Sequence, residues 1–188
     1  MESFQHNQVK LAVACALQAK AGREKRGVYF TDGMLLSLPG CERAYMPDGF
    51  FVSYRQLRNY CRFRRSARSR VYGILGVPSI IIEVASPSRL AEDYDDKREE
   101  YQRAGVKEFW LFRPDGAGYH FDLLTLDRLR GTPAYYRQRP EGQGGYSKVL
   151  RQYVRLLVQP TGIANLPRYV IQLSDRRSPP FIPPKRGI

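Results

Sequence analysis

The sequence predicts an α/β fold, and three features of the chain support that prediction. Residues 5–20 repeat apolar side chains at helical spacing, which is typical of an amphipathic helix with a broad buried face. Residues 80–112 read as strand, helix and strand with short connections, which favours two parallel neighbouring strands. After Pro114 the chain carries several runs typical of β-strands. We therefore expect a mixed β-sheet flanked by helices, with a β-rich C-terminal part.

Length and composition indicate one basic domain. The 188 residues predict a single domain over residues 1–174 and a proline-rich basic tail over residues 175–188. A net charge of +13 suits a polyanionic partner, most often nucleic acid, although a merely basic surface would give the same count. Three cysteines without a C-x-x-C spacing, and only two histidines, argue against a disulfide framework and a zinc site.

Nothing in the sequence predicts a membrane segment. No apolar run approaches the roughly 20 residues that span a bilayer. The N-terminus lacks a charged-then-apolar signal pattern. We expect a cytoplasmic protein that does not contact membranes, and a homodimer is compatible with the sequence.

The first half of the chain predicts a helix followed by short strands. Residues 21–27 should end the first helix because they combine glycine with charged residues. Residues 28–30 and 34–38 flank Thr31-Asp32-Gly33, whose Asp-Gly pair is a β-hairpin signal. Residues 50–52 form another apolar strand run, with Asp48 at its entrance.

An arginine-rich segment, residues 55–70, follows that strand. It carries seven arginines and no acidic residue, with Tyr60 and Phe63 between them, and we predict a loop or irregular helix. The arginines are Arg55, Arg58, Arg62, Arg64, Arg65, Arg68 and Arg70. This pattern suits phosphate contacts interleaved with base stacking. The alternative is a solvated insertion that covers a sheet edge.

The strand–helix–strand unit contains a carboxylate in an apolar strand. Residues 80–84 predict a buried strand, and Glu83 lies within it. An ionised carboxylate there needs a partner, a metal or a shifted pKa. The following helix should start at Ser88, run to about Arg103 and end at Ala104-Gly105. A second strand over residues 107–112 completes the unit.

The C-terminal part predicts strands separated by a loop. The strand runs are residues 120–126, 146–150, 153–158 and 166–173. Residues 132–145 carry proline, glycine and glutamine and predict a loop.

Two carboxylates and a lysine form a candidate catalytic set. Asp48 precedes one strand, Glu83 lies in another, and Lys97 lies in the helix that follows Glu83. Two carboxylates from adjacent strands can hold Mg²⁺, or Mn²⁺ in its place. Such an ion activates water and neutralises charge during phosphodiester hydrolysis.

These residues carry a resemblance to the Uma-type family. The matching stretches are Pro47-Asp48-Gly49, residues 82–88, Asp93, Lys97, Tyr101, Ala104-Gly105-Val106 and Phe109-Trp110-Leu111. That family has a restriction-endonuclease-like core and belongs to the PD-(D/E)xK nuclease superfamily. The resemblance implies that Asp48 and Glu83 are the acidic residues of that motif, and that they bind the metal.

One position departs from the motif. An unaltered E-x-K would place lysine two residues after Glu83, where this sequence has Ala85. The resemblance implies a lysine displaced onto the following helix, and Lys97 fits that role. The alternative for Lys97 is an i, i+4 ion pair with Asp93 and no catalytic role.

Three functions follow from these observations, in order of preference. The first is a Mg²⁺-dependent endonuclease that acts on DNA, with Asp48, Glu83 and Lys97 as its catalytic residues. The second is a nucleic-acid-binding protein that keeps the fold but does not cleave. The third is a protein-interaction partner with a basic tail.

Overall fold

A computed structural model describes residues 3–86, 91–116, 118–129, 132–137, 144–163 and 166–176. In chain order its elements are α1 Phe4–Glu24, β1 Gly27–Thr31, β2 Leu35–Ser37, β3 Ala44–Tyr45, β4 Gly49–Ser53, α2 Tyr54–Asn59, β5 Arg62–Arg65, β6 Val71–Leu75, β7 Ile80–Val84, α3 Ala91–Ala104, β8 Glu108–Asp115, β9 Gly118–Leu129, β10 Thr132–Arg137, β11 Gly144–Ser147, β12 Gln152–Gln159 and β13 Arg168–Ser174. Within these ranges, no helix is both long and apolar enough to cross a membrane.

The main sheet is mixed and has the strand order β1-β4-β7-β8-β9-β10. Strands β7 and β8 are parallel, with Ile80 opposite Glu108 and Val84 opposite Phe112. The other neighbours in this sheet are antiparallel. Helix α3 connects β7 to β8, and Gly105 ends it with a φ of 85°. The predicted strand–helix–strand unit and the α/β fold class are confirmed.

Two smaller sheets accompany the main one. Strands β11, β12 and β13 form an antiparallel sheet, which confirms the β-rich C-terminal part. The second small sheet has the order β3-β2-β6-β5, and β5 forms one of its edges. The arginine-rich segment therefore contributes a strand at a sheet edge.

The main sheet separates two hydrophobic clusters. Side chains alternate along a strand, so Ile80 and Ile82 pack on one side of β7 while Ile81 packs on the other. The first cluster joins α1 to the sheet through Val9, Val13, Leu17, Ile80, Ile82, Trp110, Phe112 and Phe121. The second cluster joins α3 and the sheet β3-β2-β6-β5 to the other side of the main sheet. It includes Leu36, Phe50, Ile74, Ile81, Tyr101 and Phe109. Both helices are thus fixed against strands that carry the candidate site residues.

Two predictions for the N-terminal half are wrong. Helix α1 continues to Glu24, and Lys25 ends it in a left-handed conformation with its N–H donated to the Ala21 carbonyl. The predicted hairpin around Asp32 does not form, because β1 pairs with β4 while β2 pairs with β3 and β6. Gly33 does make a turn, with a φ of 89°, but that turn directs the chain from one sheet into another.

The arginine-rich segment is more regular than predicted. Helix α2 begins after a capping box, in which Ser53 caps the helix and Gln56 bonds back to the Ser53 N–H. Strand β5 then pairs with β6, with a bulge between Arg64 and Arg65. The Ser-x-x-Gln cap and the ladder with β6 supply backbone hydrogen bonds that a loop would leave to water.

Several other boundaries differ from expectation or lie outside the described residues. Strand β10 occupies residues 132–137 within the predicted loop, because its backbone pairs with β9. Strand β8 extends beyond Phe112 to Asp115 through its pairing with β9. The proposed Ser88 cap and residues 177–188 of the tail lie outside the described residues, so both remain predictions.

Candidate active site

Asp48 lies at the entrance of β4, beside the backbone of β7. Its Oδ2 accepts the Val84 N–H at 2.7 Å, and β4 pairs with β7 so that Gly49 lies opposite Ile82. A Cβ at Gly49 would lie 2.1 Å from the hydroxyl oxygen of Tyr29 in β1, so a larger residue would force the buried Tyr29 side chain to move. The fold thus places the Asp48 carboxylate directly beside the residue that follows Glu83.

Glu83 is buried in β7 and is held by two side chains of α3. Its side chain is 4% exposed, Lys97 Nζ lies 3.0 Å from Oε2, and the Tyr101 hydroxyl donates to Oε1 at 2.8 Å. Burial raises the pKa of Glu83 above its ordinary value; the charge of Lys97 opposes this increase and that of Asp48 adds to it. Lys97 and Tyr101 reach the same carboxylate because residues four apart share one helix face.

Lys97 therefore points toward Glu83, as the sequence predicted. Its side chain is 19% exposed, and Nζ also lies 5.4 Å from the centre of the Tyr94 ring. The alternative partner, the Asp93 side chain, lies outside the described residues. The structure brings Asp48, Glu83 and Lys97 to one region, while their catalytic roles remain a prediction.

Two residues of α1, which were not predicted from the sequence, also contact Asp48. Lys10 Nζ lies 3.1 Å from Asp48 Oδ1 and 2.5 Å from Asp32 Oδ2. His6 is buried, and its Nε2 lies 3.9 Å from the same Asp48 oxygen. His6 precedes Val9 by three residues, so a polar residue on the apolar helix face was the available signal.

The surroundings of Asp48 favour its charged form. Burial alone raises the pKa of Asp48, but the His6 side chain, the Val84 N–H and the Lys10 ammonium outweigh burial and bring it below its ordinary value. For Lys10, burial lowers the pKa, and the contacts with Asp32 and Asp48 raise it above its ordinary value. Asp48 and Lys10 therefore form a charged pair on the α1 side of the site.

The two carboxylates are of the chemical type that binds divalent metal ions. In the part of the chain that the structure describes, no three His, Cys, Asp or Glu residues cluster to hold a metal. Magnesium often takes only one or two carboxylates and keeps several water ligands, so Asp48 and Glu83 are chemically suitable. Each of these carboxylates contacts a lysine, Lys10 or Lys97.

The arginine-rich segment forms an exposed basic surface. All seven predicted residues, Arg55, Arg58, Arg62, Arg64, Arg65, Arg68 and Arg70, are exposed. Tyr60 and Phe63 are 66% and 43% exposed, and the Arg65 guanidinium lies 6.0 Å from the centre of the Phe63 ring. Charge and aromatic surface are available there, while nucleic-acid contact remains a prediction.

Comparison with known proteins identifies the family. The Uma2 family model, described as "Putative restriction endonuclease", matches residues 1–144. The chain belongs to the Uma2 family. No curated protein matches the sequence.

A solved structure confirms the fold of this Uma2 protein. It is described as "a putative nuclease belonging to DUF820" from Anabaena variabilis ATCC 29413, and it superposes with a TM-score of 0.52 at 14% identity. The match covers 89% of this chain and 78% of that one. At this identity the likeness establishes the shared fold alone.

The Uma2 match contains every predicted site residue, including the departure from the E-x-K motif. Ala85 is 5% exposed and packs in the cluster that contains Tyr94 and Tyr101. A lysine at position 85 would have to enter this buried cluster. The Lys97 ammonium reaches the Glu83 carboxylate from α3, with Nζ 3.0 Å from Oε2.

Proposed function

We propose that this Uma2 protein is a metal-dependent endonuclease that hydrolyses phosphodiester bonds in DNA. Asp48 and Glu83 would hold Mg²⁺ or Mn²⁺, and the ion would activate water and neutralise developing charge on the phosphate. The observation that carries the proposal is the position of Lys97 Nζ, 3.0 Å from Glu83, with Asp48 hydrogen-bonded to the adjacent Val84 N–H. Family membership and the nuclease-like fold support it.

Within this proposal, the side chains of the chain have separate tasks. Tyr101 fixes the orientation of Glu83 through its 2.8 Å hydrogen bond. Lys97, partly exposed beside Glu83, can donate to a phosphate oxygen or to a water molecule that approaches the site. Lys10 and the Val84 N–H hold the Asp48 carboxylate in place. A buried and constrained set of this kind loses little orientational freedom when substrate binds.

A second candidate is a nucleic-acid-binding protein that keeps this fold without cleavage. It is favoured by Ala85 in the expected lysine position and by the lysine contacts that each carboxylate already makes. The net charge of +13 suits both candidates, because either would bind a polyanion.

Plasmid cleavage in the presence of metal separates the two candidates. We expect nicked or linear product with Mg²⁺ or Mn²⁺, none with EDTA, and none from Asp48→Asn, because an amide is a weaker metal ligand than a carboxylate. A salt-dependent binding curve on the same DNA is the parallel measurement. Binding without cleavage under either metal would support the second candidate, and absence of both would leave a protein-interaction role.

DNA affinity should depend on the arginine-rich segment. The triple variant Arg62→Ala/Arg64→Ala/Arg65→Ala should flatten the plot of log K against log salt by about 0.9 for each phosphate that the variant no longer neutralises. A matched control, Arg23→Ala/Arg168→Ala/Arg176→Ala, removes the same charge from other exposed positions and should change the slope less. Equal slopes for the wild-type protein and the first variant would indicate that β5 faces solvent without contacting DNA.

A further inference from the structure

A basic cavity of about 630 Å³ lies at the N-terminal ends of the central strands β7 and β8, whereas Glu83 lies near the C-terminal end of β7. Ser79 and Lys107, which line it, precede the parallel strands β7 and β8, so the N-terminal ends of both strands meet there. Glu83 lies four residues beyond Ser79, about 13 Å along the strand. Helix α1 also connects the two regions, since Lys10 contacts Asp48 and Lys20 lines the cavity about 15 Å further along the helix. The cavity is therefore distinct from the candidate active site.

Positive charge predominates among the residues that line this cavity. The cationic members are Lys20, Arg26, Lys107, Lys148 and Arg151, and the acidic members are Glu24 and Glu108. Glu24 is paired with Lys20 and Arg26, and Lys148 lies 3.7 Å from Asp127. Among the described residues, no ion pair forms with Lys107 or Arg151, and both are exposed. These two cations are available to a ligand.

The turn that carries Lys148 and Arg151 is built around a buried carboxylate. Glu108 is fully buried and accepts hydrogen bonds from Ser147 Oγ at 2.7 Å and the Val149 N–H at 2.9 Å. Ser147 Oγ in turn accepts the Leu150 N–H at 2.9 Å. Arg151 follows with a φ of 57°, a left-handed conformation that non-glycine residues rarely adopt. The packed interior thus fixes the backbone of the turn that carries Lys148 and Arg151.

We infer that this cavity binds a small phosphorylated molecule of nucleotide size. Its volume lies in the range of roughly 300–1,000 Å³ that is usual for small-molecule sites. Lysine and arginine side chains donate charge-assisted hydrogen bonds to phosphate oxygens. Leu126, Val149 and Leu150 also line the cavity and offer apolar surface to the remainder of the ligand. A concave site of this size suits a free anion better than a DNA duplex.

Isothermal titration of the full-length protein, in buffer with EDTA, tests this inference with inorganic pyrophosphate and a nucleoside diphosphate as probes. The wild-type protein should bind at least one probe. The variant Lys107→Gln/Arg151→Gln should bind about 100-fold more weakly, since removal of each charge-assisted hydrogen bond reduces affinity by about tenfold. Both residues are exposed, so this variant should fold, and Lys107→Gln alone should weaken binding in the same direction.

Two controls make the result specific. Arg62→Gln/Arg64→Gln removes the same charge from β5 and should keep the wild-type dissociation constant within about threefold. Asp48→Asn should also keep the wild-type dissociation constant for the probe, because Asp48 lies beside Val84, at the other end of β7 from the cavity. The binding test therefore does not depend on nuclease activity. No binding of either probe at millimolar concentration, or equal weakening in the β5 control, would overturn the inference. The inference would also be overturned if a DNA oligonucleotide displaced the bound probe and bound more tightly than either probe. That result would assign the cavity to nucleic acid.

Discussion

The variant Lys97→Met should lower the rate of plasmid cleavage by at least about 100-fold, the decrease typical when one group that stabilises transition-state charge is removed. Lys97 is the described cation that contacts the buried carboxylate, with Nζ 3.0 Å from Glu83 Oε2. Methionine keeps most of the side-chain stem and its contact with the helix surface. DNA binding, measured by the salt-dependent titration, should remain within a few-fold of wild type, because the proposed DNA surface is the arginine-rich segment.

Lys97→Met should also destabilise the protein, so the loss of stability must be measured separately from the loss of cleavage rate. Removing one partner of a fully buried ion pair costs roughly 3–5 kcal/mol. Lys97 is partly exposed, so we expect a smaller decrease in the free energy of unfolding, measured in urea. The double variant Lys97→Met/Glu83→Gln removes the uncompensated charge and should recover much of that stability without recovering cleavage. Full activity of Lys97→Met would exclude Lys97 as the catalytic cation, and Lys10 and Arg98 would be the next residues to replace.

Of the substitutions considered for stability, truncation of Glu108 should lower the free energy of unfolding most. Its carboxylate accepts hydrogen bonds from Trp110 Nε1 at 3.0 Å, Ser147 Oγ at 2.7 Å and the Val149 N–H at 2.9 Å. Glu108→Ala leaves three donors without their partner, and each unsatisfied buried group costs about 1–3 kcal/mol. Relief of the buried charge offsets part of this cost, and burial indeed raises the pKa of Glu108. We expect a net decrease of about 3 kcal/mol or more in the free energy of unfolding.

Urea denaturation of matched variants checks this prediction. Glu108→Gln keeps the shape and one acceptor oxygen, so it should destabilise less than Glu108→Ala. Glu42→Ala, at an exposed position, should stay within about 0.5 kcal/mol of wild type. A Glu108→Ala protein as stable as the Glu42 control would indicate that water replaces the carboxylate and that the turn at residues 147–151 does not depend on it.

The parallel pair at the centre of the sheet was predictable because its signals are local. The apolar run of β7, the glycine at the end of α3 and the apolar start of β8 lie within one short stretch. Consecutive strands joined by one helix commonly lie side by side in a sheet, and β7 and β8 do so here. Asp48, Glu83 and Lys97 were identified from their positions in the chain, the family resemblance implied their roles, and the structure places Lys97 against Glu83.

The hairpin predicted at Asp32 failed for the opposite reason. An Asp-Gly turn specifies a local reversal, but the backbone hydrogen bonds of β1 and β2 are satisfied by strands distant in sequence. Local composition cannot report which distant backbone will satisfy a strand. Strand β10 was missed for a different reason: it pairs with the strand directly before it, β9, but the proline, glycine and glutamine content of residues 132–145 favoured a loop.

By itself, the sequence determined the fold class, the strand that carries Glu83, the helix that carries Lys97 and the excess of positive charge. The tertiary structure alone decided which groups meet those carboxylates: His6 and Lys10 at Asp48, and Tyr101 at Glu83. The tertiary structure also places Glu108 under the turn that lines the basic cavity, at the N-terminal ends of β7 and β8. The physical reason is that helical and strand periodicity are properties of neighbouring residues, whereas burial, ion pairing and pKa depend on groups brought together from distant parts of the chain.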